Sequence, residues 1–116
     1  MKIGHFNVII LKGGFKVVMT IGVIEKKLLD NRVLLEKNKV KKIGVFGSAL
    51  HGKQNKSSDV DIIVEFHDSI DLFQFVHLAT MLKGVLKKKV DLVTPAALKP
   101  YIRDKVLNEV HWLAGY

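Results

Sequence analysis

Apolar and polar positions alternate between two periods along this chain, and the changes of period mark its elements. From Thr20, a fair N-cap, Ile21, Ile24, Leu28, Val33 and Leu35 recur at roughly helical spacing, which predicts a helix up to about Asn38. Ile43 to Phe46 reads as a short buried strand ending at Gly47-Ser48, with a helical turn from Ser48 to about His51 and a polar loop from Gly52 to Ser58. In the next strand, Asp59 to Phe66, Val60, Ile62, Val64 and Phe66 share one face, and Asp59, Asp61, Ile63 and Glu65 the other. One face goes to the core and the other reaches a cleft.

Asp71 to Lys87 predicts a second amphipathic helix with Leu72, Phe75, Val76, Ala79, Leu82 and Leu86 on its buried stripe. Lys89 to Val93 predicts a third strand carrying Asp91. Thr94-Pro95 opens a helical region that Pro100 divides, and Ile102, Val106, Val110 and Leu113 form the apolar stripe of the last helix. These elements add up to a small α/β (α+β) domain, a mixed sheet with helices packed on one face.

Composition narrows the function classes. A chain of 116 residues forms one domain with a real core. The formal charge of +8 suits an anionic ligand or partner. Its densest basic runs, Lys37 to Lys42 and Lys87 to Lys89, sit at predicted element ends and read as solvated surface rather than a nucleic-acid arm. The absence of cysteine excludes disulfides and thiolate metal sites and allows a reducing compartment. No apolar stretch approaches the roughly 20 residues of a membrane span. In the first 18 residues, Lys12 and Lys16 interrupt the apolar run, and no small-residue cleavage site follows. Lys12-Gly13-Gly14 also reads as a translated purine-rich ribosome-binding site, so residues 1–18 are either an upstream extension or a flexible N-terminus to a domain spanning 19–116. Removing them takes away Lys2, Lys12 and Lys16 and no acid, lowering the charge from +8 to +5.

The chemistry concentrates between Gly44 and Phe66. A Gly-Ser turn leaving a strand can hold phosphate oxygens, and ten residues later Asp59 and Asp61 open the next strand. Their positions, about 6.6–7 Å apart on one face, let two carboxylates converge on one or two magnesium ions. Asp91, isolated in Val90-Asp91-Leu92-Val93, is a charge expected to be costly without a metal or partner, and so a third ligand. Asp59-Val60-Asp61 alone reads most simply as a solvated strand opening; the combination with the Gly-Ser turn and Asp91 is what points to a site. The histidines lack metal-ligand spacing. Phe73, Phe75, Trp112 and Tyr116 read as core residues, with Phe73 placed beside the stripe where it could reach a partner.

Gly47-Ser48, the ten-residue gap, Asp59-x-Asp61 and Val90-Asp91-Leu92-Val93 together resemble the minimal nucleotidyltransferases of the DNA polymerase beta superfamily, which include the MNT antitoxins paired with HEPN toxins. The resemblance covers about residues 20–113. It implies the nucleotidyltransferase fold and transfer of AMP from ATP to a hydroxyl group, in the antitoxin branch a tyrosine of the partner toxin. By position, Gly47 and Ser48 would hold the triphosphate, and His51, Lys53 and Ser58 would add nucleotide contacts. Asp59 and Asp61 would ligand two Mg2+ ions (or Mn2+). Asp91 would share a metal and draw the proton from the acceptor. The implied partner is a HEPN-type helical protein encoded nearby, in the cytoplasm, with neither membrane nor nucleic acid involved; a homo-oligomer stays open. One departure stands out: relatives often carry arginine shortly after Gly-Ser, whereas this chain has Ala49 and His51. Two alternatives stay open, an antitoxin acting by binding alone and a transferase for a small hydroxylated molecule.

Overall fold

The computed structural model describes residues 8–11, 14–17, 20–47, 50 and 59–116. Near the N-terminus, β1 (Val8–Leu11) and β2 (Gly14–Val17) form an antiparallel hairpin. Helix α1 spans Ile21–Asp30, and the Thr20 hydroxyl accepts from the Val23 N–H at 3.4 Å, as an N-cap does. The predicted long helix breaks at Asn31. There the Asn31 side chain donates to the Lys27 carbonyl (2.8 Å) and its backbone N–H to the Leu28 carbonyl (3.1 Å), so α2 (Arg32–Lys37) starts afresh. The break shifts the helical phase. Leu35 stays buried, but Val33, expected on the buried stripe, is 61% exposed.

A four-stranded sheet follows in the order β5-β4-β3-β6, made of β3 (Val40–Phe46), β4 (Val60–Phe66), β5 (Val90–Val93) and β6 (His111–Trp112). β3 runs antiparallel to β4 and to β6, and β5 lies parallel to β4. A parallel neighbour requires a crossover, which is helix α3 (Leu72–Leu86). Asp71 and Gln74 close a reciprocal capping box at its start, both bonds 2.8 Å, and Lys87 ends it in the left-handed conformation (φ 54°).

The core lies on one face of this sheet. Ile24, Leu28, Leu35, Leu78, Leu82 and Leu86 pack from α1–α3 against Val40, Ile43, Val45, Val60, Ile62, Val64, Val90 and Leu92. Fully burying such a side chain contributes about 1.5–3 kcal/mol relative to exposure. The stripe on α3 differs from the expected one. Leu72 and Val76 are exposed (73% and 52%) and Leu78 is buried. At about 100° per residue, Val76 stands some 120° and Leu72 some 80° round from Leu82, outside the arc that Leu78, Leu82 and Leu86 turn to the sheet. Phe73 is 85% exposed, so it is not core; Phe75 and Tyr116 pack against the core from its edge.

After the one-turn 3-10 helix Pro95–Ala97, α4 runs from Pro100 to Glu109 with Pro100 at its first turn. It stops earlier than its apolar stripe suggests. Val110 is extended, His111–Trp112 pairs with Val45–Gly44, and the Leu113 N–H donates to the Ile43 carbonyl (2.8 Å). Closing the open edge of β3 outweighs continuing the helix. Gly44 makes the approach feasible: a Cβ there would lie 2.6 Å from Val110 Cγ2. Tyr116 donates its hydroxyl to the Val40 carbonyl, and His111 Nε2 meets Glu25 Oε1 at 2.9 Å, so the C-terminal segment ties both β3 and α1. No helix among the described residues is long and apolar enough to cross a membrane.

Candidate active site

Three chain segments meet at the end of the sheet where β3 stops and β4 and β5 begin. The antiparallel register places Phe46 opposite Asp61, so the next residue, Gly47, leaves the sheet beside that aspartate. Gly47 has φ 75°, a conformation that only glycine adopts at little cost. A Cβ at this position would lie 2.2 Å from Asp61 Oδ2 and 3.1 Å from its Cγ. The carboxylate therefore occupies the space that any side chain at 47 would fill. The Leu50 N–H turns back to the Gly47 carbonyl at 3.1 Å.

The parallel register of β4 and β5 sets Asp61 directly beside Asp91, at the roughly 4.8 Å spacing of neighbouring strands. Asp59 stands two residues earlier, on the same face by strand alternation and just outside β4. Asp61 is partly buried, whereas Asp59 and Asp91 are exposed. Asp91 is expected to carry its charge in a buried strand, but β5 is an edge strand and leaves it exposed.

The Val60 N–H donates to the Lys89 carbonyl (2.9 Å), clamping the α3–β5 turn to the opening of β4. Lys88 lies in that turn. Its ammonium is partly buried, which lowers its pKa below the ordinary lysine value, while the Asp59 carboxylate pulls it back up. Sequence reading took Lys87 to Lys89 as solvated surface. The available signal was their position immediately before a strand parallel to the one that Asp59 opens.

The structure thus sets Gly47, Asp61 and Asp91 side by side, with Asp59 just before β4. Ser48, His51, Lys53 and Ser58, and with them the Ala49 and His51 departure and the predicted turn from Ser48 to His51, lie outside the described residues. The donor set is all carboxylate oxygen, the kind that Mg2+ and Mn2+ accept. Among the described residues no group of three or more acid or histidine side chains gathers closely enough to cage an ion. This arrangement fits a cation bound by one or two carboxylates whose shell is completed by substrate phosphates.

Residues 31–115 match the family model described as polymerase beta, nucleotidyltransferase. The chain belongs to this nucleotidyltransferase family. The match runs from the start of α2 to the C-terminal tail, so it contains all four strands of the sheet and the three aspartates. The chain is 39% identical over 94 residues to the protein adenylyltransferase MntA of Thermococcus cleftensis, covering 80% of this chain and 95% of that protein. A Methanocaldococcus jannaschii protein, provisionally named a protein adenylyltransferase, is 37% identical over 91 residues, covering 78% and 95%.

Solved structures agree. A provisionally named minimal nucleotidyltransferase superimposes with a TM-score of 0.70 at 28% identity, over 80% of this chain and 95% of that one. A toxin-antitoxin complex with AMP-PNP gives 0.64 at 32% identity, over 79% and 73%. A tri-AMPylated Shewanella oneidensis HEPN toxin in complex with its MNT antitoxin gives 0.58 at 28% identity, over 81% and 71%. This nucleotidyltransferase is an enzyme of its family, with a mixed four-stranded sheet that presents Asp61 and Asp91 side by side.

Proposed function

We propose that this nucleotidyltransferase moves AMP from ATP to a tyrosine hydroxyl of a HEPN-type toxin and so acts as that toxin's antitoxin. The observation that carries the reading is the packing of the Asp61 carboxylate against Gly47, with Asp91 one strand away. It joins the glycine that leaves β3 to two carboxylates on one face of the sheet. The likeness to MntA over 95% of its length supports AMP as the transferred group, and the likeness to antitoxins solved with their toxins supports the partner.

Each residue then has a task. Gly47, with no side chain, makes room for the Asp61 carboxylate, and its backbone together with Ser48, His51, Lys53 and Ser58 would contact the triphosphate. Asp59 and Asp61 would hold Mg2+, and Asp91 would share it. Bound there, the ion supplies charge neutralisation at the α- and β-phosphates. Asp91, exposed and beside Asp61, accepts the proton of the incoming hydroxyl. The acceptor oxygen forms a bond to the α-phosphorus as the bond to the bridging oxygen breaks, and pyrophosphate departs with the electron pair. A site with Asp59 and Asp91 exposed at the end of a sheet suits a macromolecular acceptor.

The test is transfer of label from α-phosphate-labelled ATP in Mg2+, with and without the helical protein encoded next door. Label should appear on the partner and vanish with Asp59→Ala/Asp61→Ala. A partner that both versions bind and silence without label would overturn the reading in favour of neutralisation by occlusion.

A further inference from the structure

The outward face of α3 is apolar where a helix lying on a sheet is ordinarily polar. Leu72, Phe73 and Val76 are exposed there, on the side away from Leu78, Leu82 and Leu86, which pack on the sheet. Thr80 and Gly84 follow at the same four-residue step and are exposed as well, so Leu72, Val76, Thr80 and Gly84 form one row leaning across the helix. The side chains shrink along it from leucine to glycine. Gly84 has no packing role within one copy: among the described residues nothing lies within 4 Å of the position a Cβ would take. Glycine inside a helix is nonetheless unfavourable.

We propose that α3 pairs with α3 of a second copy of this chain, antiparallel about a two-fold axis passing between Val76 and Thr80. Rows of this kind incline about 26° to the helix axis, so two helices crossing at about 50° lay their rows along one another. In the antiparallel sense Leu72 faces Gly84 of the second copy and Val76 faces Thr80, large on small throughout. Phe73 flanks the row beside the same Thr80–Gly84 stretch. A parallel pair would set Leu72 on Leu72, leave both Gly84 positions unfilled and align the helix dipoles. The charges agree with the antiparallel sense. It brings the acidic start of the helix, Asp68 and Asp71, to the basic end, Lys83 and Lys87, of the copy, and all four are exposed. A buried phenylalanine covers about 150–250 Å², so the two Phe73 rings supply a large share of the roughly 1,000 Å² that a biological interface needs.

A second copy fits this face better than the acceptor of the transfer reaction does. Strand alternation turns Asp61 away from the helices, and the outward face of α3 lies on their far side. An acceptor at the carboxylates therefore leaves this face open. The inference holds whatever group the enzyme transfers.

Sedimentation equilibrium of the full chain tests the pairing. Wild-type protein should be a dimer at about 100 µM and dissociate on dilution, as interfaces near the lower size limit do. Gly84→Leu should weaken association about tenfold or more, because Leu72 of the other copy already fills that space. Its thermal midpoint at low concentration should not fall, since leucine favours a helix over glycine. Phe73→Ser, at a position already exposed in one copy, should weaken association as well. Leu72→Ala/Gly84→Leu exchanges the large and small positions and should restore association to within about threefold of wild type. A wild-type monomer at that concentration, a dimer indifferent to Gly84→Leu and Phe73→Ser, or a weakened dimer that the exchange does not rescue would overturn the inference. So would a monomer that loses its hold on a helical partner in Gly84→Leu, which would assign the face to that partner.

Discussion

The two faces of β4 put two different demands on one stretch of seven residues. Val60, Ile62 and Val64 are completely buried against α1–α3, while Asp61, between the first two, faces the cleft beside Asp91. The core-facing residues hold position by packing that tolerates no void. The cleft-facing aspartates hold position by backbone register, since Asp59 and Asp91 are exposed and have little packing of their own. The comparison teaches that strand alternation turns the aspartates away from the main core, on a face that also buries Ile63 completely. A change at the core positions should be felt mainly as stability, and at the aspartates mainly as rate.

That separation can be broken first on the core face. Leu82→Ala removes a side chain buried between α3 and the sheet and should cost about 2–5 kcal/mol by denaturant titration. The folded fraction should keep its KM for ATP. A variant equally stable but slow would mean that the faces are coupled.

Gly47→Ala is the sharper case, because it sits where backbone and site meet. A methyl group cannot coexist with Asp61 Oδ2 at 2.2 Å, and the positive φ adds about 1–2 kcal/mol of backbone strain. Displacing the carboxylate should slow AMP transfer at least about 100-fold while the stability loss stays near that strain. Wild-type activity in Gly47→Ala would show that Asp61 need not lie where the structure has it.

The smallest effect concerns the edge opposite the site. Tyr116 donates to the Val40 carbonyl, and burial, with Glu36 nearby, raises its pKa above the usual 10.0. A phenol whose folded pKa is raised is held neutral by the fold. Its contribution is complete below the unfolded pKa and is lost as pH rises through the folded one. Stability should therefore fall more above pH 10.0 in the wild type than in Tyr116→Phe, as followed by thermal midpoints across that range.

Much of this was legible in the chain. The alternation from Val60 to Val64 marked the core face, although Ile63, expected toward the cleft, is completely buried, and Gly47 lies against the Asp61 carboxylate as the spacing suggested. What sequence missed has physical causes. The α3 stripe was misphased because Leu72 and Val76 are apolar yet lie beyond the arc that meets the sheet. The break at Asn31 depends on side-chain capping of the preceding carbonyls, which leaves no periodic signal. β6 is two residues long, too short for alternation, and exists because β3 offers an edge. Asp91 looked buried because its neighbours are apolar, but an edge strand exposes alternate positions to water. The partial burial of Lys88 left no signal because only the fold brings the turn after α3 to the start of β4.

The most direct test of the account is the rate of AMP transfer to the partner toxin by Asp61→Asn, on protein whose thermal midpoint is measured alongside. The substitution keeps size and shape and removes one charge. A rate reduced about 10³-fold, or about 4 kcal/mol of transition-state stabilisation, with the midpoint unchanged, is the predicted result. Transfer at the wild-type rate would contradict the central claim that the cleft face of β4 carries the chemistry.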